Sequence, residues 1–198
     1  MKRSEALVLT VGADPVVVEG RLAGGELECP CCGGMLARWG WGRVRVLRGG
    51  RGPVRVRPRR ARCRGCGMSH VLLPVFVLAR RVDLAEVIGA ALAAKAAGAG
   101  ARTIAAAWGR PVDTVRGWLR RFSSRAEAVR VFFTALLVEV AVDPVPPAQT
   151  ASLFADAVAA VAGASVAAAS RWEHVGEAPP WLVAVAASGG RLLAPGWP

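Results

Sequence analysis

Two short cysteine clusters constrain this chain more than anything else in it. One reads Cys29-Pro30-Cys31-Cys32-Gly33, the other Cys63-Arg64-Gly65-Cys66-Gly67, with thirty residues between Cys32 and Cys63. Each contains a Cys-x-x-Cys pair followed by glycine. Paired thiolates on two tight turns can converge on one tetrahedral Zn²⁺, and the trailing glycine lets each turn aim backbone N–H groups at sulfur. A doubled motif carries far more information than a single one. Cys29, Cys32, Cys63 and Cys66 are therefore the expected ligands of a structural zinc ion. Cys31 becomes the spare thiol, because only the Cys29/Cys32 choice reproduces the spacing of the second pair. His70 is a fallback ligand. Two disulfides are the competing reading, but five cysteines leave one unpaired and no convincing secretory signal opens the chain. A thioredoxin-like redox pair would need a βαβ pattern that the surrounding sequence lacks.

The formal net charge is +12, from 26 basic and 14 acidic residues, which favours a polyanionic partner. Placement says more than the total, since arginine, alanine and glycine also abound in chains from high-GC genomes. Between Glu28 and Asp83 there is no acidic residue, and thirteen arginines fall in that window: Arg38, Arg43, Arg45, Arg48, Arg51, Arg55, Arg57, Arg59, Arg60, Arg62, Arg64, Arg80 and Arg81. The competing reading is a solvated basic face without a partner.

The expected architecture is α+β: a small β zinc ribbon, then an all-α helix-turn-helix region and C-terminal helices. Residues 1–28 read as a leader with short strands, at Leu7–Val11 and at Val16-Val17-Val18. Residues 29–77 read as the ribbon. Within it Arg43-Val44-Arg45-Val46 and Val54-Arg55-Val56-Arg57 alternate with period two around a Gly-rich turn, predicting a hairpin with valines on one face and arginines on the other, and a zinc knuckle at each base. A third strand is expected within Val71–Leu78, broken by Pro74. Trp39 and Trp41 either cover the sheet or stack on a base.

From Asp83 the period becomes helical, with Asp83 as the expected cap of a helix to about Ala97. Ala101–Arg121 then reads as a helix-turn-helix. Gly109 takes the turn, Pro111 marks the start of the second helix, and Ile104, Trp108, Val115 and Trp118 form a common buried face. Arg110 stands where an apolar residue is usual. On this reading residues 83–125 bind double-stranded DNA through the second helix in the major groove. Val112, Asp113, Arg116 and Gly117 face the bases, with Arg110 and Thr114 beside them, and Arg120 and Arg121 meet phosphate. Arg116 suits a bidentate contact to guanine; Asp113 either accepts from cytosine, orients Arg116 or caps the helix. Arg43, Arg45, Arg55 and Arg57 of the hairpin add phosphate contacts. Residues 126–198 are expected to hold a helix over 126–142, an alanine-rich helix or helix pair interrupted near Gly163, and a tail to which no chemistry is assigned; His174 reads as a surface residue. The alanine-rich helices suit a homodimer.

By this point the chain resembles the zinc-ribbon plus helix-turn-helix proteins of high-GC bacteria, and the N-terminal DNA-binding region of insertion-sequence transposases. The residues that carry the resemblance are Cys29-Pro30-x-Cys32-Gly33-Gly34, Trp39-Gly40, Arg62-Cys63-x-x-Cys66, Leu72-Leu73-Pro74 and Thr114-Val115-Arg116-x-Trp118-Leu119-Arg120-Arg121-Phe122. The resemblance implies zinc and DNA binding. It does not extend to a nuclease core, which needs a carboxylate triad on a sizeable α/β scaffold; the acidic residues after Phe122 show no such pattern. No enzyme activity or small-molecule substrate is expected, and no membrane partner either, since for the latter the run Ala157–Ser170 falls short of the ~20 apolar residues of a span. A cytoplasmic, nucleoid-associated protein follows. Alternative classes are a protein-interaction module and an RNA-binding module.

Overall fold

The computed structural model describes residues 7–198 except 174 and 177. The first six residues of the expected leader and His174 lie outside the described residues. The architecture is mixed α+β, with small sheets first and helices after them.

Strand β1 (Leu7–Val11) is followed by helix α1 (Pro15–Gly24). Val16–Val18, expected as a strand, lies inside α1. Asp14 caps that helix by accepting from the Val16 N–H at 2.7 Å, Pro15 suits its first turn, and Gly25 closes it at φ 73°. These local signals outweigh the β propensity of three valines. Strands β2 (Leu36–Trp41), β3 (Arg45–Arg48), β4 (Pro53–Val56), β5 (Arg59–Cys63) and β6 (Ser69–Pro74) follow. The main sheet has the order β1-β6-β5-β2, with β1 parallel to β6 and the other pairs antiparallel. The expected leader thus contributes an edge strand, and α1 covers the sheet. Val18, Leu22, Leu36, Ala61 and Leu72 form its small core together with Cys29 and Cys63.

The β3–β4 hairpin is a separate two-stranded sheet. It differs from expectation in two ways. The cysteine turns sit at the start of β2 and the end of β5, which pair Leu36 with Cys63, so the hairpin is an excursion between the knuckle-bearing strands. Its register pairs Arg45 with Val56, Val46 with Arg55 and Leu47 with Val54. Directly opposed residues share a face, so Val54 and Val56 lie with Leu47 while Val46 sits among arginines. Four residues between the paired Arg48 and Pro53 set this register; one more or one fewer would have aligned the valines. Leu47 and Val56 pack against Leu73, Val77 and Leu84.

Helices α2 (Ala85–Ala96), α3 (Ala101–Trp108), α4 (Val112–Ser123), α5 (Ala126–Val140), α6 (Leu153–Arg171) and α7 (Pro180–Ala187) build the second half. Its core includes Ile88, Ile104, Val115, Trp118, Phe122, Val129, Phe133 and Val161. α6 is continuous through Gly163. A Cβ there would lie 2.8 Å from Leu137 Cδ1, so the glycine permits close approach to α5 and does not break the helix. By length and composition α6 is also apolar enough to cross a membrane, with 44% of its apolar window buried in the fold. The tail is core: Trp197 packs edge-on against Phe132 at 5.1 Å between ring centroids, and Trp181 fills the space above Gly89, where no Cβ could fit.

Asp83 does not cap α2, whose first turn follows Leu84 without a side-chain cap. It is 2% exposed and holds two arginines, Arg48 of β3 and Arg110 of the α3–α4 turn, each at 2.6 Å. Arg110 also donates to the carbonyls of Trp108 and Gly49. The Gly50 N–H donates to Glu86 of α2 at 2.9 Å. Hairpin tip and helix turn are thereby locked together.

Candidate metal centre and basic face

The two cysteine turns repeat one hydrogen-bond pattern. The Cys29 N–H donates to Gly34 O and the Cys63 N–H to Met68 O, five residues on in each case. The Gly33 N–H returns to Cys29 O and the Gly67 N–H to Cys63 O. Gly33 at φ 70° and Gly67 at φ 72° occupy the left-handed region that this turn requires. Strand pairing of Leu36 with Cys63 brings the turns face to face. The four sulfurs of Cys29, Cys32, Cys63 and Cys66 then lie within 4.8 Å of one another, close enough to hold a metal ion. Cys29 and Cys66 are 3.7 Å apart, Cys32 and Cys63 3.5 Å. Thiolates around a tetrahedral zinc at ~2.3 Å stand about 3.8 Å apart, so the sulfur cage fits that ion. Gly34 sits tightly beside it, since a Cβ there would meet Cys63 Sγ at 3.1 Å and Cys32 Sγ at 3.3 Å and push on both sulfurs.

Crowding disturbs the thiols. Cys63 is lowered to about 6, first because the Cys66 N–H points at its sulfur. Cys66 is pushed up to about 12: the Met68 backbone favours its thiolate, but Cys32, burial and the remaining thiols outweigh it. A divalent cation removes that conflict by letting all four ionise together.

His70 is the residue whose role the sequence concealed. It is fully buried, with Nε2 at 3.3 Å from Cys29 Sγ. Burial lowers its pKa, favouring the neutral ring. Cys29, Cys31 and His70 form a second group close enough to share an ion, but it has one fewer thiol and lacks the symmetry of the two turns. With four thiolates on the metal, His70 is placed to donate from Nε2 to Cys29, a hydrogen bond that orients the ligand. Cys31 is exposed and outside the four-sulfur cage.

On α4, Val115, Trp118 and Phe122 are buried while Asp113, Arg116 and Arg120 are exposed. Arg116 reaches Asp113 at 3.2 Å, so Asp113 orients Arg116 and caps nothing. Val112 and Thr114 are half-buried. Gly117, expected to face bases, is covered by Arg121, whose Nη1 donates to its carbonyl at 3.0 Å. Arg110, expected among the DNA contacts, has a side chain only 13% exposed and is committed to Asp83. Of the hairpin arginines, Arg43, Arg45, Arg55 and Arg57 are exposed and none has an ion pair among the described residues. Others in the basic window are ion-paired, Arg38 and Arg59 sharing Glu19, and Arg48 sharing Asp83 with Arg110. Trp39 and Trp41 are half-exposed, each under a guanidinium: Arg62 over Trp39 and Arg59 over Trp41, both at 4.6 Å.

No curated protein and no solved structure matches the chain. Residues 29–118, from the first cysteine of the cage to Trp118 in α4, match a family described as a domain of unknown function, DUF6431.

Proposed function

We propose that this chain is a DNA-binding protein with a structural zinc ion and no catalytic core of its own, a regulator or a relative of transposase DNA-binding regions, acting at the nucleoid. The ion is Zn²⁺ because four thiolates in a tetrahedral cage are its preferred structural ligand set. The observation that carries the reading is the division of α4. Its buried face fixes the helix to α2 and α3, and its other face offers Arg116, Asp113 and Arg120 to a partner. Gly109 supports it: φ 57° gives the sharp turn a helix-turn-helix uses between its helices. Arg116, already oriented by Asp113, is the group for a guanine edge, and Arg120 with the hairpin arginines serves the phosphates.

The test is selection of bound duplexes from a random pool by zinc-loaded protein at near-physiological salt. An enriched motif supports the reading, and a palindromic one adds a symmetric homodimer. Binding without a motif leaves the arginines as a phosphate surface. Absence of binding overturns the proposal. The exposed Trp39 and Trp41 favour one other reading, single-stranded RNA recognition; preference for single strands over duplex would establish it.

A further inference from the structure

A cleft of about 650 Å³ opens where β1, the loop after β6 and the C-terminal turn meet, bordered on one side by Pro30 and Cys31 of the first cysteine turn. Arg80, Arg81 and Arg191 line it, and among its described lining residues none is acidic. None of the three has an ion pair among the described residues. Leu7, Leu9 and Pro195 supply apolar wall. The volume lies in the range of small-ligand sites, which pair an apolar lining with a few convergent polar groups.

Three features make this a built cleft. Arg81 is anchored by an Nη2 bond to Leu193 O at 2.7 Å, yet its buried Nε has no hydrogen-bond partner. Thr10 Oγ1, on the facing strand, is buried and unpartnered too. Folded proteins seldom leave such groups unsatisfied without a functional reason. Gly190 packs directly on that hydroxyl, since a Cβ there would approach Thr10 Oγ1 to 3.1 Å, and its carbonyl ties the walls together through the Ala79 N–H. Finally, Arg80 is the one non-glycine residue at positive φ among the described residues, at 60°. Backbone held in this way clusters at ligand sites. Burial, and then repulsion from Arg121, already disfavours the Arg81 cation, and an anion would relieve both.

We propose that this cleft binds a phosphate-bearing ligand of nucleotide size, with Arg80, Arg81 and Arg191 on the phosphate and the apolar wall against the rest. Guanidinium forks match phosphate oxygens in bidentate geometry. The phosphate comes from a free nucleotide or from a nucleic-acid chain, and the inference stands without the α4 reading.

The test is calorimetric titration of the full zinc-loaded chain with AMP, with inorganic phosphate and with a short duplex, in wild type and in Arg80→Gly and Arg191→Ala. Both substituted residues are exposed, so the fold survives. Saturable AMP binding is expected, weakened about tenfold or more by each change. Arg80→Gly should melt no lower than wild type, because glycine accepts the left-handed backbone. Loss of AMP binding with unchanged duplex affinity identifies a free nucleotide as the ligand. Parallel loss of both, with AMP competing against duplex, identifies a nucleic-acid phosphate. Variants that leave the affinity for AMP, phosphate and duplex unchanged overturn the proposal, as does failure of the wild type to bind AMP or phosphate when duplex binding is also unaltered.

Discussion

The ribbon and the helical half are stabilised by different means. The main sheet buries mainly small and medium side chains, with Cys29 and Cys63 as part of that core. The helical half buries Trp118, Phe122, Phe133 and Trp197 with a long list of aliphatic partners. Burying a large apolar side chain contributes roughly 1.5–3 kcal/mol, so the helical half is sustained by its own packing. The sheet's core is smaller, and its four clustered cysteines stand where a metal ion could supplement it. If a metal holds the sheet, sheet and bundle can fail separately, even though Asp83 bolts one to the other.

Metal removal gives the largest effect. Structural zinc in small domains contributes about 10–16 kcal/mol of apparent binding free energy, and two of the four cage cysteines, Cys29 and Cys63, are themselves part of the sheet's core. Chelation should abolish amide protection across residues 29–77 while the helices keep most of their circular dichroism. Protection that survives chelation would show that the cage is not structural. The second effect is aimed at the join. Asp83→Ala leaves Arg110 buried without its counter-charge, and breaking such a pair costs about 3–5 kcal/mol. Hydrogen exchange should quicken at Arg48, Gly49 and Gly50 and at the start of α4 together. A change confined to the hairpin would mean that the two halves are merely adjacent.

The sulfur cage was legible because metal ligation depends on local spacing, and two Cys-x-x-Cys-Gly turns are local. The α3–α4 turn was legible for the same reason, through Gly109 and Pro111. Long-range partnerships were not. Nothing near Val16 announces that Asp14 and Pro15 win over β propensity, except the cap itself, which could have been read. The hairpin register depends on loop length and on Leu47 finding Leu73 and Leu84, not on the valine alternation. Asp83 looked like a cap because helices often start after aspartate; its arginines, 35 residues before it and 27 after it, are invisible to periodicity. Gly163 looked like a break because close approach to Leu137 cannot be seen from one helix alone. Arg110 was visible as a charge at an apolar position, but it was read as a DNA contact, because its partner Asp83 lies 27 residues away.

His70 sharpens the contrast within the ribbon. Its ring fills buried space and its Nε2 reaches Cys29. His70→Phe keeps the volume and removes the hydrogen bond, and loss of a ligand-orienting partner typically lowers metal affinity about 10–100-fold. Competition against a chelator of known affinity measures it. An unchanged affinity would reduce His70 to a core residue, and the helical half should be unaffected either way.

The smallest effect on stability belongs to Arg116, and that is why it separates folding from binding best. Its side chain is 57% exposed and its one charged partner, Asp113, is 92% exposed. Such a pair contributes little to stability, and Arg116→Ala should leave the melting transition within about 0.5 kcal/mol of wild type. If α4 reads DNA, the same change costs about 1–3 kcal/mol in affinity for the selected duplex and relaxes preference at one base pair. Arg120→Ala should instead weaken binding evenly across sequences and lower the salt slope by about one. Two exposed arginines one turn apart on a helix then give different signatures, which simple charge loss cannot produce. Identical losses from both would reduce α4 to a basic surface. No loss from either would move any DNA contact to the hairpin arginines, in the half of the molecule that carries the sulfur cage.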